Sequence, residues 1–456
     1  MTLLLLVIFL IISFTGIVWG LARKDRYYQF PTIFCATWFL FFGPQAIGAV
    51  INRDKYPDTL HADYGLQIAL SYCVLCVLMG LAGYRYGGMS KKKLFRFRNY
   101  SYDRLFLGGI ILCAVGLWGA YQLAQLSGGF VAQFTGGGHY GLEWRGAPVR
   151  YVFFSQLIYP GFLLVFLTTL YQPKILKWTI VIFCLMYPLA VIIFLGRRSY
   201  AGITGIIILL GVFFVKRWAP PRLVHVILLA LAFVGITLAP AYRAKSQYGL
   251  HIEELKQIDA RGIISDKFSG EHYGEFDVIV YGCAGVNRGF ALNYGIDFYN
   301  STVSSLVPRQ LVGERLKNSL FIPAGTDLET LLKRYYDWSI PYGSNPTGPF
   351  DTFRQFWFLG CLLYFILGFI YRSLWTAAYE EQNVGAQLWY VVTAIIITQS
   401  VFGTFTGLAP YFLVILFFFG PILYFARIPT RSCQANMQDI MGFKCYDSYL
   451  TTTNRP

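Results

Sequence analysis

The residues best placed for chemistry are two adjacent arginines. They stand in Gly196-Arg197-Arg198-Ser199-Tyr200, between two apolar stretches that leave almost no room for a loop. An arginine near membrane depth costs up to about 2.5–3.5 kcal/mol. A bound anion offsets that cost, because guanidinium presents a planar fork of donors that grips phosphate oxygens two at a time. Two occupants fit this chemistry: the phosphates of ordinary lipid headgroups, with the arginines snorkelling to reach them, or a polyisoprenyl diphosphate. A second basic end follows in Ala241-Tyr242-Arg243-Ala244-Lys245. There, complementarity to the helix dipole is an alternative reason for the charge.

Displacing a sugar from a diphosphate builds negative charge on the leaving group, so fixed cations there lower the barrier. The attacking hydroxyl also needs a base, most simply a carboxylate. Glu253, Glu254, Glu271, Glu275, Asp277, Asp297 and Asp351 are the choices in the same part of the chain. That part has no Asp-x-Asp pair to hold a divalent ion beside a nucleotide sugar, so the expected chemistry needs no metal and no cofactor. His139, His251 and His272 are read as structural. Cys73 and Cys76 form a CxxC inside an apolar stretch without a histidine partner, which points to packing more than to redox or metal chemistry.

The elements that must carry these groups are membrane helices. Charged residues make up 13% of the chain and apolar ones 56%, with a mean hydropathy of +0.50; a soluble domain carries about 25% charged residues. Eleven apolar stretches approach or exceed the length a bilayer requires: Thr2–Leu21, Pro31–Ile51, Tyr64–Tyr84, Leu105–Leu126, Tyr151–Tyr171, Trp178–Leu195, Tyr200–Val215, Leu223–Ala239, Phe353–Tyr371, Ala386–Phe405 and Pro410–Ala426. The first lacks a basic lead-in and a small-residue cleavage site, so it reads as a retained helix. Lys and Arg crowd alternate connections, namely Arg23 to Arg26, Lys91 to Arg98, Lys174 and Lys177, Lys216 to Arg222, Arg372 and the tail from Arg427. That alternation predicts an outward N-terminus and an inward C-terminus. The net charge of +15 is therefore a topology signal, and no basic soluble face suits nucleic acid.

The expected fold is an all-α transmembrane bundle with one large, partly helical outer segment. Its parts are spans 1–8 over residues 1–240, the outer segment over 241–352, spans 9–11 over 353–426 and an inner tail over 427–456. The outer segment is rich in Tyr, Phe and Trp, so it should be ordered. Of nine cysteines only Cys283 lies in it, which leaves no disulfide framework. Thr326–Trp338 has helical spacing, with Thr326 and Glu329 as a capping box and Leu328, Leu331, Leu332 and Tyr335 on one face. Such a helix could lie on the membrane surface or cover a cavity.

Three stretches resemble the Wzy-type oligosaccharide repeat-unit polymerases, including the enterobacterial common antigen type. Phe194-Leu195-Gly196-Arg197-Arg198-Ser199 resembles that family's Gly-x-Arg junction, with Arg198 at the arginine. Val307-Pro308-Arg309-Gln310-Leu311-Val312-Gly313-Glu314-Arg315 resembles its Ile-Pro-x-x-Leu-Trp-Pro-x-Arg/Lys stretch, with Val312 and Gly313 in place of Trp-Pro. Gly343-Ser344-Asn345-Pro346-Thr347, then Asp351 and Phe358-Leu359-Gly360, resembles its Ser-Pro-Thr, acidic, Phe-Gly entry to the next span. Asn345 there replaces Ser, and Asp351 stands where Glu is common.

The resemblance implies transfer of a growing glycan from one undecaprenyl diphosphate to the terminal sugar of a new lipid-linked repeat unit. In that expectation Arg198, Arg243 and Arg315 bind diphosphate, Arg197 and Arg309 assist, and Asn345 and Thr347 contact substrate. Asp277 or Asp351 positions or activates the acceptor hydroxyl. The setting would be a bacterial inner membrane, with a chain-length regulator and a flippase as membrane partners. An O-antigen ligase would use the same donor and a catalytic histidine, for which His251 and His272 are available. A transporter of lipid-linked sugars would need paired charges deep in several spans, and these are missing.

Overall fold

The computed structural model describes residues 1–89, 99–126, 128–129, 148–195, 198–246, 258–270, 273–307, 309–323, 325, 328–340 and 346–428. Among the described residues the chain is about 84% helical with no strand, apart from one isolated bridge between Tyr100 and Arg427. The first helices are α1 (Thr2–Leu21), α2 (Phe30–Ile51), α3 (Ala62–Met89), α4 (Tyr102–Leu126), α5 (Pro148–Ser155) and α6 (Ile158–Tyr171). Then come α7 (Ile175–Leu195), α8 (Arg198–Lys216) and α9 (Arg222–Ser246). The segment expected outside is built of α10 (Ala260–Ser269), α11 (Glu275–Gly289), α12 (Ile296–Leu306), α13 (Arg309–Val312), α14 (Glu314–Ser319) and α15 (Leu328–Tyr336). The chain closes with α16 (Gly348–Phe356), α17 (Leu362–Trp375), α18 (Val384–Phe402) and α19 (Leu408–Ala426).

Nine helices among the described residues are long and apolar enough to cross a membrane, and Tyr200–Lys216 and Arg222–Gly235 are shorter apolar helices. Burial separates centre from rim. The windows in Tyr151–Tyr171 and Val384–Phe402 are 83% and 78% buried, against 28% for Ile175–Phe194 and Leu408–Ala426. The outward faces of the rim helices are themselves apolar, with Ile182, Phe183, Met186, Phe417 and Phe425 exposed. A helix apolar on every side belongs in lipid, so the chain is a multi-pass membrane protein.

An aromatic column on α2 fills the centre. Phe30, Phe34 and Trp38 recur every four residues, which keeps them on one helix face. Phe30 stacks on Tyr371 at 5.6 Å, and Phe34 and Trp38 meet Tyr364. Two of the buried hydroxyls here donate to backbone: Tyr364 to the Ser400 carbonyl at 2.7 Å and Tyr390 to the Tyr28 carbonyl at 2.8 Å.

Close helix crossings in lipid depend on small residues, and α3 meets α17 in this way. A Cβ on Gly83 would lie 2.0 Å from the Phe365 carbonyl oxygen, and one on Gly368 would lie 2.2 Å from that of Gly80. Gly83→Leu is therefore expected to lower the melting temperature of the purified protein, through overpacking that costs roughly 1–3 kcal/mol or more. Gly420→Leu is the control, since a Cβ there meets nothing within 4 Å.

The connections sort to two ends. At one end Thr2 donates to Asp63 at 3.1 Å, and this end also holds Lys55 and the Asp277 end of α11. At the other, Arg222 donates to the Ala22 carbonyl and Arg217 to the Tyr379 carbonyl, both at 2.6 Å. The basic connections expected to share a side thus meet one another.

Three features depart from the expectation. First, α9 runs on to Ser246 and α16 begins at Gly348, so the boundaries drawn at 240 and 352 fall inside helices. Second, α11 does not sit above the bundle: every residue from Phe276 to Val286 is buried, and the helix packs on α2, α3, α15 and α16. Third, the ninth span is broken. Trp357 takes φ +54°, a strained value for a side chain of that bulk, and a 3₁₀ turn over Trp357–Cys361 links α16 to α17. As for α15, its apolar face lies on α11, with Leu328, Leu331, Leu332 and Tyr336 buried. It is a packed layer of protein, and its proposed cap Thr326 lies outside the described residues.

Candidate functional site

The first half of the site is the meeting of α7, α8 and α9. The Tyr242 hydroxyl in α9 donates to the Ile193 carbonyl near the end of α7, and Tyr200 in the first turn of α8 stacks on Tyr159 at 5.3 Å. These contacts bring the last turn of α9, which carries Arg243, to the helix end from which Arg198 starts α8. The side chains of Arg198 and Arg243 are outside what the structure describes, and Arg197 lies outside the described residues. The two positions differ in kind. A cation in a last turn suits the helix dipole, whereas one at a helix start opposes it. By position, the dipole favours the charge of Arg243 and favours an anion beside Arg198.

The second half is a knot around Asp277. Gly274 precedes α11, and its N–H donates to Asp277 Oδ2 at 2.7 Å, the returning arm of a capping box. Lys55 Nζ, from the α2–α3 connection, lies 2.9 Å from Oδ1 and 3.1 Å from Oδ2, and the Tyr56 hydroxyl donates to Oδ1. Both partners are buried, with side-chain exposures of 9% for Lys55 and 4% for Asp277. Burial and the adjacent Asp277 charge push the Tyr56 phenol well above its ordinary range, so it stays a donor. With Oδ2 accepting from Gly274 and Lys55, and Oδ1 accepting from Tyr56 and pairing with Lys55, Asp277 is suited to hold α11 on the α2–α3 connection.

Backbone contact completes the anchorage. Gly270, at φ +70°, presses its backbone on Gly48, where a Cβ on either residue would collide. Glycine is required on both counts, for the left-handed conformation and for the approach. The result is a half-open cavity of about 200 Å³ lined by Gln45, Lys55, Ile263, Asp266, Tyr273 and Asp277, together with the glycines. Helix α10 packs on α2 and also touches the middle of α9, where its Phe268 meets Phe233 at 6.4 Å, ten residues before Arg243.

The remaining nominated residues are placed as follows. Asp351 is buried in α16, and its Oδ2 accepts the Thr406 N–H at 2.7 Å, which ties the broken helix to the α18–α19 connection. Thr347 precedes α16 and is fully buried; its carbonyl accepts the Asp351 N–H at 2.8 Å, and its hydroxyl has no partner among the described residues. Asp297 accepts from Gln355 at 2.6 Å and Asn293 at 2.8 Å, with Arg354 at 3.7 Å, so it fastens α12 to α16. Arg309 pairs with Glu314 on the exposed α13–α14 corner, and Arg315 is exposed beside it. No described contact joins that corner to the α8–α9 arginines. Asn345, His139, His251, His272, Glu253, Glu254 and Glu271 lie outside the described residues.

Sequence reasoning missed Lys55, Tyr56, Asp266 and Tyr273. A signal for the first was present: Lys55 and Arg53 are cations in a connection that the charge bias assigns to the cation-poor side. A cation placed against that bias calls for a partner, which is Asp277 for Lys55 and, at 3.6 Å, Asp63 for Arg53. Cys73, Cys76 and Cys283 are buried free thiols, and no metal-binding group of His, Cys, Asp or Glu occurs among the described residues.

Compared with family models, curated proteins and solved structures, the chain matches none. Fold and site define a multi-pass helical membrane protein with a helical layer docked at one end of the bundle.

Proposed function

We propose that this protein is a membrane glycosyltransferase that polymerises polyprenyl-diphosphate-linked oligosaccharide repeat units at the Lys55 end of the bundle. That end would face outward from a bacterial inner membrane. The observation that carries the reading is the contact of the last part of α9 with the end of α7, which brings the Arg198 and Arg243 helix ends together. Arginine at a helix start at this depth needs an anion, and a lipid-anchored diphosphate supplies one at the right height. The acceptor hydroxyl oxygen would bond to the anomeric carbon of the donor glycan. The bond from that carbon to diphosphate would break, its electron pair leaving with the polyprenyl diphosphate, and the hydroxyl proton would pass to a base. Of the two nominated carboxylates, Asp351 would be the base, because Asp277 is engaged by Lys55, Tyr56 and Gly274 whereas Asp351 accepts from Thr406 alone among the described hydrogen bonds. The reading requires no cofactor, and a chain-length regulator and a flippase are the partners it implies.

Glycan laddering tests it. The wild-type chain is expressed in a host that makes a lipid-linked repeat unit but lacks its own polymerase. A ladder of repeat multiples is the expected result. Single repeat units that stay on the carrier lipid and never reach the outer face would point to transport. A single unit moved onto lipid A core would point to a ligase.

A further inference from the structure

We propose that the cavity between α2, α10 and α11 is a subsite for one uncharged or amino-bearing pyranose. This rests on the transferase reading above and assigns it a recognition element separate from the arginines. Size comes first. The cavity of about 200 Å³ is the space of about seven waters at ~30 Å³ each, the size of a single sugar ring.

Chemistry comes second. Tyr273 is 41% exposed, and its hydroxyl donates to the Lys55 carbonyl at 3.0 Å, which fixes the ring at the cavity wall. Behind it stand Tyr281 at 6.0 Å and Trp338 at 6.1 Å, themselves stacked face to face at 4.3 Å. A rigid aromatic face of this kind attracts the C–H face of a pyranose, whose hydrogens carry partial positive charge. Asp266 lines the cavity with an exposed carboxylate that makes no ion pair with a described residue, and a carboxylate accepts two neighbouring hydroxyls at once. Lys55 donates to Asp277 Oδ2 at 3.1 Å and pairs with Oδ1 at 2.9 Å, and an ammonium carries three donors, so it can also offer an N–H to a sugar oxygen at the cavity wall.

Charge decides the ligand class. The described lining holds one Lys and two Asp, a net of −1. A diphosphate or a uronic acid would meet like charge there, whereas a neutral or amino sugar would not. The anion belongs with the arginines and the sugar with the carboxylate.

The test is saturation-transfer NMR on the full-length protein in detergent with methyl glycosides of glucose, galactose, N-acetylglucosamine, glucosamine and glucuronic acid. At least one of the first four is expected to bind, with transfer strongest to its ring C–H protons, and the glucuronide is expected not to. Tyr273→Ala and Asp266→Asn should each weaken binding roughly tenfold or more, the usual effect of losing a charged hydrogen-bond acceptor or a stacking face. Tyr273→Phe should keep it, because the ring remains. Asp266 is exposed, so Asp266→Asn tests the site without disturbing the fold. Failure of all four glycosides to bind, a glucuronide that binds as well as they do, or binding indifferent to both weakening variants would overturn the subsite. Binding does not depend on turnover, so sugar binding without a ladder would remove the transferase and leave the site. A ladder without sugar binding would remove the site alone.

Discussion

Lys55→Met is expected to destabilise the docked helices by roughly 3–5 kcal/mol, the range for breaking a buried ion pair from one side. The cost would arise from what remains. Asp277, with its side chain 4% exposed, would keep only the Tyr56 hydroxyl and the Gly274 N–H against a full negative charge. Thermal unfolding of the purified protein should shift down, and limited proteolysis between residues 258 and 289 should speed up. Lys55–Asp277 ties that stretch to the α2–α3 connection, beside the Gly270–Gly48 approach and the Phe276 N–H to Gln45 bond that hold it on α2. Lys55→Met/Asp277→Leu should recover most of the loss, because two apolar groups leave no stranded charge. Recovery should stop short by about 1 kcal/mol, since Asp277 also returns to the Gly274 N–H and that cap is lost. The cycle through both single variants separates the pair from the cap. A single-variant cost below about 1 kcal/mol is what an exposed pair shows, and it would mean that water already reaches the pair through the cavity.

What was legible in the sequence follows from the physics of each signal. Length and apolarity mark a membrane helix with no tertiary information: nine of the eleven stretches fall on helices long and apolar enough to cross, the seventh and eighth on shorter apolar helices, and the ninth is interrupted at Trp357. Burial of α11 was hidden because its 15 residues fall short of a span and its ends carry Glu275, Asp277 and Arg288. A segment of that kind reads as an outer helix until its neighbours are known. The break at Trp357 was hidden for a different reason. Neither proline nor glycine stands at the break, and the close approach involves Gly360, three residues on, which lies where a Cβ would meet the Thr352 carbonyl at 2.2 Å. Among site residues, Arg198 and Arg243 stood out because a charge at an apolar boundary is a local anomaly. The bond between Lys55 and Asp277 spans 222 positions, and nothing local announces a partner so far away. For α15 the apolar face was periodic and readable, but the choice between lipid and protein as its cover was not.

Arg198→Ala should reduce the glycan ladder to single repeat units, at matched membrane expression, and Arg198→Lys should give a short ladder between that and wild type. The ordering follows from the position. Residue 198 begins α8, where unpaired N–H groups and the positive dipole end already favour an anion. Alanine keeps that field and loses the guanidinium; removing one preorganised donor to a developing anion typically slows a reaction by about 10²–10³. Lysine restores the charge as a point but not the planar fork that holds two phosphate oxygens in register. A lysine variant that ladders like wild type would mean that charge suffices and the bidentate contact is idle. An alanine variant that ladders like wild type would make Arg198 a headgroup anchor and leave Arg243 as the cation to test. Arg243→Ala should also cost helix stability, because its charge sits in the last turn of α9 where the dipole contribution is about 0.3–1 kcal/mol, whereas Arg198→Ala removes a cation that the dipole disfavours. If both arginines grip one diphosphate, the double variant should be little worse than Arg198→Ala alone, since groups that act as a unit lose their effect together. A multiplicative loss would place them on separate phosphates, one on the donor carrier and one on the acceptor.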